Sequence, residues 1–162
     1  MHEINIVETR DSEILQIDHA KITYKNFSGA GTPYNRAGNR NFAVIIEDDE
    51  TAQALIARGW NVKIKPPRVD GEEPYRTLEV RVKYNNGYGP DAYLESGAAV
   101  VKLTEETIGR LDKVNILSVD MDIRAFDWEM PGGKSGRTAY LNSIRVVQRI
   151  DRFAERYSTD EA

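Results

Sequence analysis

Period-two alternation of polar and apolar residues constrains this chain more than any other feature. It is clearest in NILSVDMDIRAFDWEM (115–130), where Val119, Met121 and Ile123 alternate with Asp120 and Asp122. EINIVE, EILQID, AKITYKNF, WNVKIK, TLEVRVKY and YLNSIRVVQRI repeat the pattern, and FAVII is a short apolar strand. Such a period marks half-buried β-strands. Two helices interrupt it. DDETAQALIARG has acids in its first turn, Ala54, Leu55 and Ala57 as apolar positions, and Gly59 as its stop. TEETIGRLDK starts at Thr104 and spaces Ile108 and Leu111 by three. A last short helix is expected in DRFAERY. Gly and Pro mark the loops SGAGTPYNRAG, PPRVDGEEP, NNGYGP and PGGKSG. Many strands with strongly marked turns predict a mainly β, OB-like small β-barrel with one or two short helices; a β-sandwich is the alternative.

The 162 residues suit one domain, expected over 1–157, with a short acidic C-terminal tail at 158–162. The N-terminal MHEINIVETR lacks the basic and apolar regions of a signal peptide, and no apolar run reaches membrane-spanning length. The absence of cysteine removes disulfides and thiolate metal sites and fits a reducing cytoplasm.

Net charge is −4, from 22 Lys and Arg against 26 Asp and Glu, yet the charge is segregated. Residues 19–46 hold Lys21, Lys25, Arg36 and Arg40 and no acid. Residues 130–150 hold Lys134, Arg137, Arg145 and Arg149 and no acid. Aromatic residues share these segments: Tyr24, Phe27, Tyr34 and Phe42 in the first, Tyr140 in the second. Cations that neutralise phosphate, interleaved with rings that stack on bases, are what a single-stranded nucleic acid needs. Phe27 and Phe42, at strand ends, read as core. The expected phosphate contacts are Lys25, Arg36, Arg40, Lys134 and Arg137. The expected stacking residues are Tyr34, Tyr88 and Tyr140, with Trp60 and Trp128 as secondary platforms.

Enzyme chemistry finds little support. Asp120 and Asp122, with Asp127 and Glu129, could hold Mg²⁺ in a metal-dependent nuclease, but they also read as the solvated face of a strand. His2 and His19 have no metal-ligand spacing, and PGGKS lacks the earlier glycine of a P-loop. No catalytic residue, metal or cofactor is assigned. A structural or protein-interaction module is the other alternative; it accounts for the acidity but not for the two acid-free segments.

The strings NFSGAGTPYNRAGNRNFAVII, ARGWNVKIKPPRVDGEEP and VDMDIRAFDWEMPGGKSGRTAYLNSIRV resemble a group of small bacteriophage single-stranded DNA-binding proteins with an OB-type barrel, over roughly residues 20–157. The resemblance implies a non-enzymatic protein that coats or protects single-stranded DNA in phage replication or recombination, in the cytoplasm of the infected bacterial host. Its partners would be single-stranded DNA and phage or host replication and recombination proteins, with homo-oligomers left open and no membrane. Many such proteins end in an acidic tail closed by an aromatic residue. This sequence ends RYSTDEA, so recruitment through a tail is not expected.

Overall fold

The computed structural model describes residues 2–149. The helix expected in DRFAERY and the tail at 158–162 lie outside the described residues. The strands are β1 (Glu3–Glu8), β2 (Glu13–Asp18), β3 (Ile22–Asn26), β4 (Arg40–Ile45), β5 (Val62–Lys65), β6 (Tyr75–Val82), β7 (Asp91–Ser96), β8 (Ala99–Leu103), β9 (Ile116–Glu129) and β10 (Ser135–Gln148). Helix α1 (Asp49–Ala57) follows β4, and a 3-10 turn (Ile108–Asp112) precedes β9.

The strands join in the order β1-β2-β9-β10-β6-β4-β3, with β5 added to β6 and the β7–β8 hairpin added to β10. The β6–β10 pairing is parallel, as is β7–β10; the other ladders are antiparallel. No ladder joins the two ends of this path among the described residues. The covalent chain instead links β3, at one end, to β2, next to the other end, because the two are consecutive. Between them His19 takes φ +54°, its N–H donates to the Asp120 carboxylate, and Ala20 N–H donates to the Val119 carbonyl. Ile45 N–H then donates to the Lys21 carbonyl. One bent strand thus serves β9 with its first half and β4 with its second. The result is the expected OB-like arrangement, mainly β.

The alternation read from the sequence sets the inner face. Leu15, Ile17, Phe42, Val44, Leu78, Val80, Val82, Val119, Met121, Ile123, Ala139, Leu141, Ile144 and Val146 are all buried in one core. Phe27 and Phe42 stack there, 5.0 Å apart at 21°. Helix α1 begins at Asp48, whose carboxylate accepts the Thr51 N–H at 2.8 Å, and ends at Gly59, which takes φ +94°. It buries Ala52 and Leu55 rather than Ala54 and Ala57. The second helix is shorter than its sequence suggests. Residues before Ile108 form a turn on the Thr104 carbonyl, and only a 3-10 turn that buries Ile108 and Leu111 follows.

The β7–β8 hairpin has no counterpart in the alternation. Ala92 and Leu94 are buried, but four consecutive residues of β8 are exposed, so no period of two is present to be read.

Candidate nucleic-acid interface

Outside the barrel, register brings together side chains from strands far apart in sequence. Tyr140 on β10 pairs with Arg81 on β6 and with Arg124 on β9, while Arg81 pairs on its other side with Asn41 of β4. Arg81 and Tyr140 each lie between two buried residues, and Asn41 and Arg124 each adjoin one, so the four point outward. They form one cross-strand row: Asn41, Arg81, Tyr140, Arg124. The Arg124 guanidinium lies over the Tyr140 ring, 4.8 Å from its centre, and Phe126 meets that ring edge-on at 6.0 Å. Phe126 and Trp128 continue the same face along β9. Trp128 donates to Thr138 Oγ1 at 3.1 Å and lies flat against Gly136, where a Cβ would sit 2.5 Å from its ring. Gly136 is therefore what lets the indole settle on the sheet.

Two turns flank this face, each presenting an exposed tyrosine. Thr32 and Asn35 exchange backbone hydrogen bonds, leaving Pro33 and Tyr34 at the tip, and Tyr34 is 98% exposed. The loop beneath is built on the Asn35 amide. Its Nδ2 donates to the carbonyls of Ala30 and Asn39, and its Oδ1 accepts from Asn41 Nδ2 at 3.1 Å. Side-chain amides replace backbone partners in this loop without adding charge. The second turn closes between Asn85 and Tyr88. Asn86 and Gly87 both take positive φ, as a two-residue hairpin turn demands, and Tyr88 is 82% exposed. The next residue, Gly89, lies against the Tyr84 ring, where a Cβ would fall 2.2 Å from ring carbon Cδ1.

Between the turns lies a groove made of two hollows that share Lys83. One, about 470 Å³, lies among Asn39, Arg40, Arg81, Lys83, Tyr84 and Tyr140. The other, about 330 Å³, lies among Lys83, Tyr88, Pro90, Arg124 and Asn142. Burial pushes the Tyr84 phenol above its usual range, with Glu105 and Glu106 adding to the effect and Arg40 opposing it.

The structure brings Arg40, Tyr88 and Tyr140 to this groove, with Tyr34 on the turn at its edge. Arg36 and Lys134 are exposed on loops and belong to no ion pair among the described residues. Arg40 is more constrained: it reaches Glu105 at 3.7 Å and lies 5.5 Å from the Tyr84 ring centre. Lys25 donates to the Leu111 carbonyl at 3.0 Å and so caps the end of the 3-10 turn. Beside it the Asp112 carboxylate accepts the N–H groups of Phe27 and Ser28.

Two residues are placed differently from the sequence expectation. Trp60 is 2% exposed and packs in the core, with its indole N–H on Glu13, so it offers no stacking surface. Arg137 shares the parity of Ala139 and Leu141, on the face of the hairpin opposite Tyr140. Its guanidinium binds both oxygens of Asp127, reaches Glu13 at 2.7 Å and lies over Trp60, leaving 15% of the side chain exposed. Two strands, β9 and β2, and the loop after α1 supply its partners, so it ties the β9–β10 hairpin to the barrel.

Sequence reasoning missed Arg81, Lys83, Arg124 and Phe126. Arg81 has Glu79 beside it at 3.8 Å, but both side chains are about half exposed, and such a pair contributes only about 0–1 kcal/mol. The carboxylates of β9 divide between faces. Asp120 and Asp122 point outward, whereas Asp127 shares the face of Arg137, and Glu129 has the parity of Asp127. The four cannot converge on one cation. No group of three or more His, Cys, Asp or Glu among the described residues is placed to hold a metal ion.

A family model described as "Putative phage ssDNA-binding domain" matches residues 5–161. Among solved structures, the chain is similar to the C-terminally truncated single-stranded DNA-binding protein of bacteriophage Enc34: TM-score 0.51, 13% identity, covering 91% of this chain and 97% of that one. The same phage protein in complex with single-stranded DNA gives TM-score 0.52 at 13% identity, covering 92% of this chain and 98% of that one. No curated protein sequence matches.

Proposed function

The chain belongs to the phage ssDNA-binding domain family, and from that premise we propose that it binds single-stranded DNA along the outer face of β6, β10 and β9. The row Asn41–Arg81–Tyr140–Arg124 carries the proposal. It sets an aromatic ring between two guanidinium groups on rigid strands, so one nucleotide can stack while phosphates on either side are neutralised. Phe126 and Trp128 extend the stacking surface along β9. Tyr34 and Tyr88 close over the strand from the two turns. Lys83, Arg36 and Arg40 contribute phosphate contacts, and Lys134 extends the path along the hairpin.

Rings stack on any base and guanidinium groups on phosphate read no sequence, so binding is sequence-tolerant. The chain's net charge of −4 disfavours DNA on its other surfaces, although Glu79 and Glu105 also line this groove. The role is non-enzymatic: coating or protecting single strands during phage DNA replication or recombination, in the cytoplasm of the infected bacterium. The solved complex of the Enc34 protein with single-stranded DNA, on a similar fold, supports the reading.

The test is fluorescence anisotropy of a labelled oligo-dT strand and a matching duplex at two salt concentrations. Tight single-strand binding that weakens with salt, a weaker duplex, and a loss of at least tenfold in Arg81→Ala/Arg124→Ala are expected. Unchanged binding by that variant would move the interface elsewhere.

A further inference from the structure

We propose that β8 is a self-association edge, pairing antiparallel with β8 of a second copy across a two-fold axis. An unpaired strand edge offers free backbone N–H and C=O groups, and proteins that remain monomeric blunt such edges. Three other edges here are blunted. β1 carries Glu3 and Glu8 at its ends, β5 carries Lys63 and Lys65, and the β3–β4 register breaks between Thr23 and Asn26, where Tyr24 takes φ +50°. β8 is less protected: its one charged residue, Lys102, is held to Asp91 of β7 at 3.5 Å. It pairs with β7 in unbroken register from Leu103 to Ala99, and its other edge is unpaired among the described residues. It reads AVVKL, with neither proline nor acid. Val100 is 56% exposed and Val101 44%, and as neighbours they leave both faces apolar.

The strand complements itself. Centred on Val101, an antiparallel pair sets Val101 against Val101, Val100 against Lys102 of the second copy, and Ala99 against Leu103. No like charges meet. Glu95, which also binds Arg145, lies opposite Val100 on β7, so Lys102 of the second copy comes within two strand spacings, about 10 Å between backbones, of a carboxylate on the same face. Two long side chains can close that gap. A five-residue edge is small beside the roughly 1,200–2,000 Å² of a stable interface, so the dimer is weak and concentration-dependent.

The functional consequence rests on the DNA-binding reading. A dimer carries two grooves, so a strand long enough to reach both gains affinity over a short one.

Sedimentation velocity of the full chain without DNA tests the association. The mass is expected to rise from 18.3 kDa toward twice that at concentrations on the order of 100 µM. Val101→Lys, which sets two ammonium groups face to face, should remain monomeric, while Val7→Lys on β1 should behave as wild type. Val101→Lys should also lose the preference for long over short oligo-dT and keep its affinity for the short strand. A monomeric wild type at that concentration, or a Val101→Lys protein that still dimerises, overturns the proposal. Failure to bind the short strand would instead count against the DNA-binding reading.

Discussion

Tyr140 and Arg81 lie side by side across the parallel junction of β6 and β10, although 59 positions separate them in sequence. The junction is short: Ala139–Val80 and Tyr140–Arg81 are its two register pairs. Both partners point outward because Ala139, Leu141, Val80 and Val82 are buried on either side of them. The core beneath the curved sheet thus also aims the binding pair.

Truncating this pair should separate stacking from charge. Tyr140→Ala removes a base platform and should weaken binding by about 1–3 kcal/mol, roughly 5- to 150-fold. Tyr140→Phe keeps the ring and should bind as wild type. Arg81→Ala should instead lower the slope of log affinity against log salt by about 0.7, the value for one phosphate contact on a single strand. Anisotropy titrations of oligo-dT at four salt concentrations read both effects.

Arg137 should behave as a structural residue. Its removal leaves the largely buried Glu13 with Trp60 and Arg58 alone and frees the hairpin from the barrel. Arg137→Ala is expected to cost about 3 kcal/mol, the low end for a broken buried pair because Asp127 is half exposed. That corresponds to a melting temperature lower by about 6–12 °C in a domain of this size. The salt slope of DNA binding, measured below the melting range, should not change. A reduced slope with unchanged stability would return Arg137 to the phosphate contacts.

The same cluster sets an acid limit. The hydrogen bond from Arg137 holds the Asp127 carboxyl below its ordinary value of 3.8. A folded-state value below the unfolded one means that stability is present above about pH 4 and is lost as pH falls through the folded value. Hydrogen bonds from Thr51 depress Asp48 in the same sense. Asp127→Asn should therefore be less stable than wild type at pH 7, and the gap should narrow below pH 4. Urea midpoints between pH 7 and pH 3 measure it; a gap that widens on acidification contradicts the assignment.

Much of the barrel could be read from the alternation alone, because half-buried strands are what a period of two encodes. β8 could not, since a strand exposed on both faces has no period. The site was legible only in part, for a related reason. Counting charge by segment found Arg36, Arg40 and Tyr140 because their neighbours in sequence are uncharged or basic. It passed over Arg81 and Arg124, whose neighbours Glu79 and Asp122 cancel them in any window. Only the β10 register places both beside Tyr140. Arg137 shows the converse. Its own segment contains no acid, yet β2 and β9 deliver Glu13 and Asp127 to it. An acid-free stretch reports local charge, and a barrel assembles its neighbours from distant strands.

The turn tyrosines offer the sharpest separation of binding from folding. Tyr34 and Tyr88 are nearly free of protein contact, so truncating either should change stability by less than about 0.5 kcal/mol. If each stacks on a base, each truncation should weaken oligo-dT binding by about 1–3 kcal/mol. The tyrosines stand on separate turns without shared partners, so the double variant should show the sum of the two losses. Gly89→Ala provides the matching backbone test. Its Cβ would enter the Tyr84 ring, forcing the turn that carries Tyr88 to shift. That variant should lose both stability and affinity, whereas Tyr88→Ala loses affinity alone. Melting temperatures and anisotropy on the four proteins decide it. Wild-type affinity in Tyr34→Ala/Tyr88→Ala would remove the turns from the interface and leave the strand row to bind by itself.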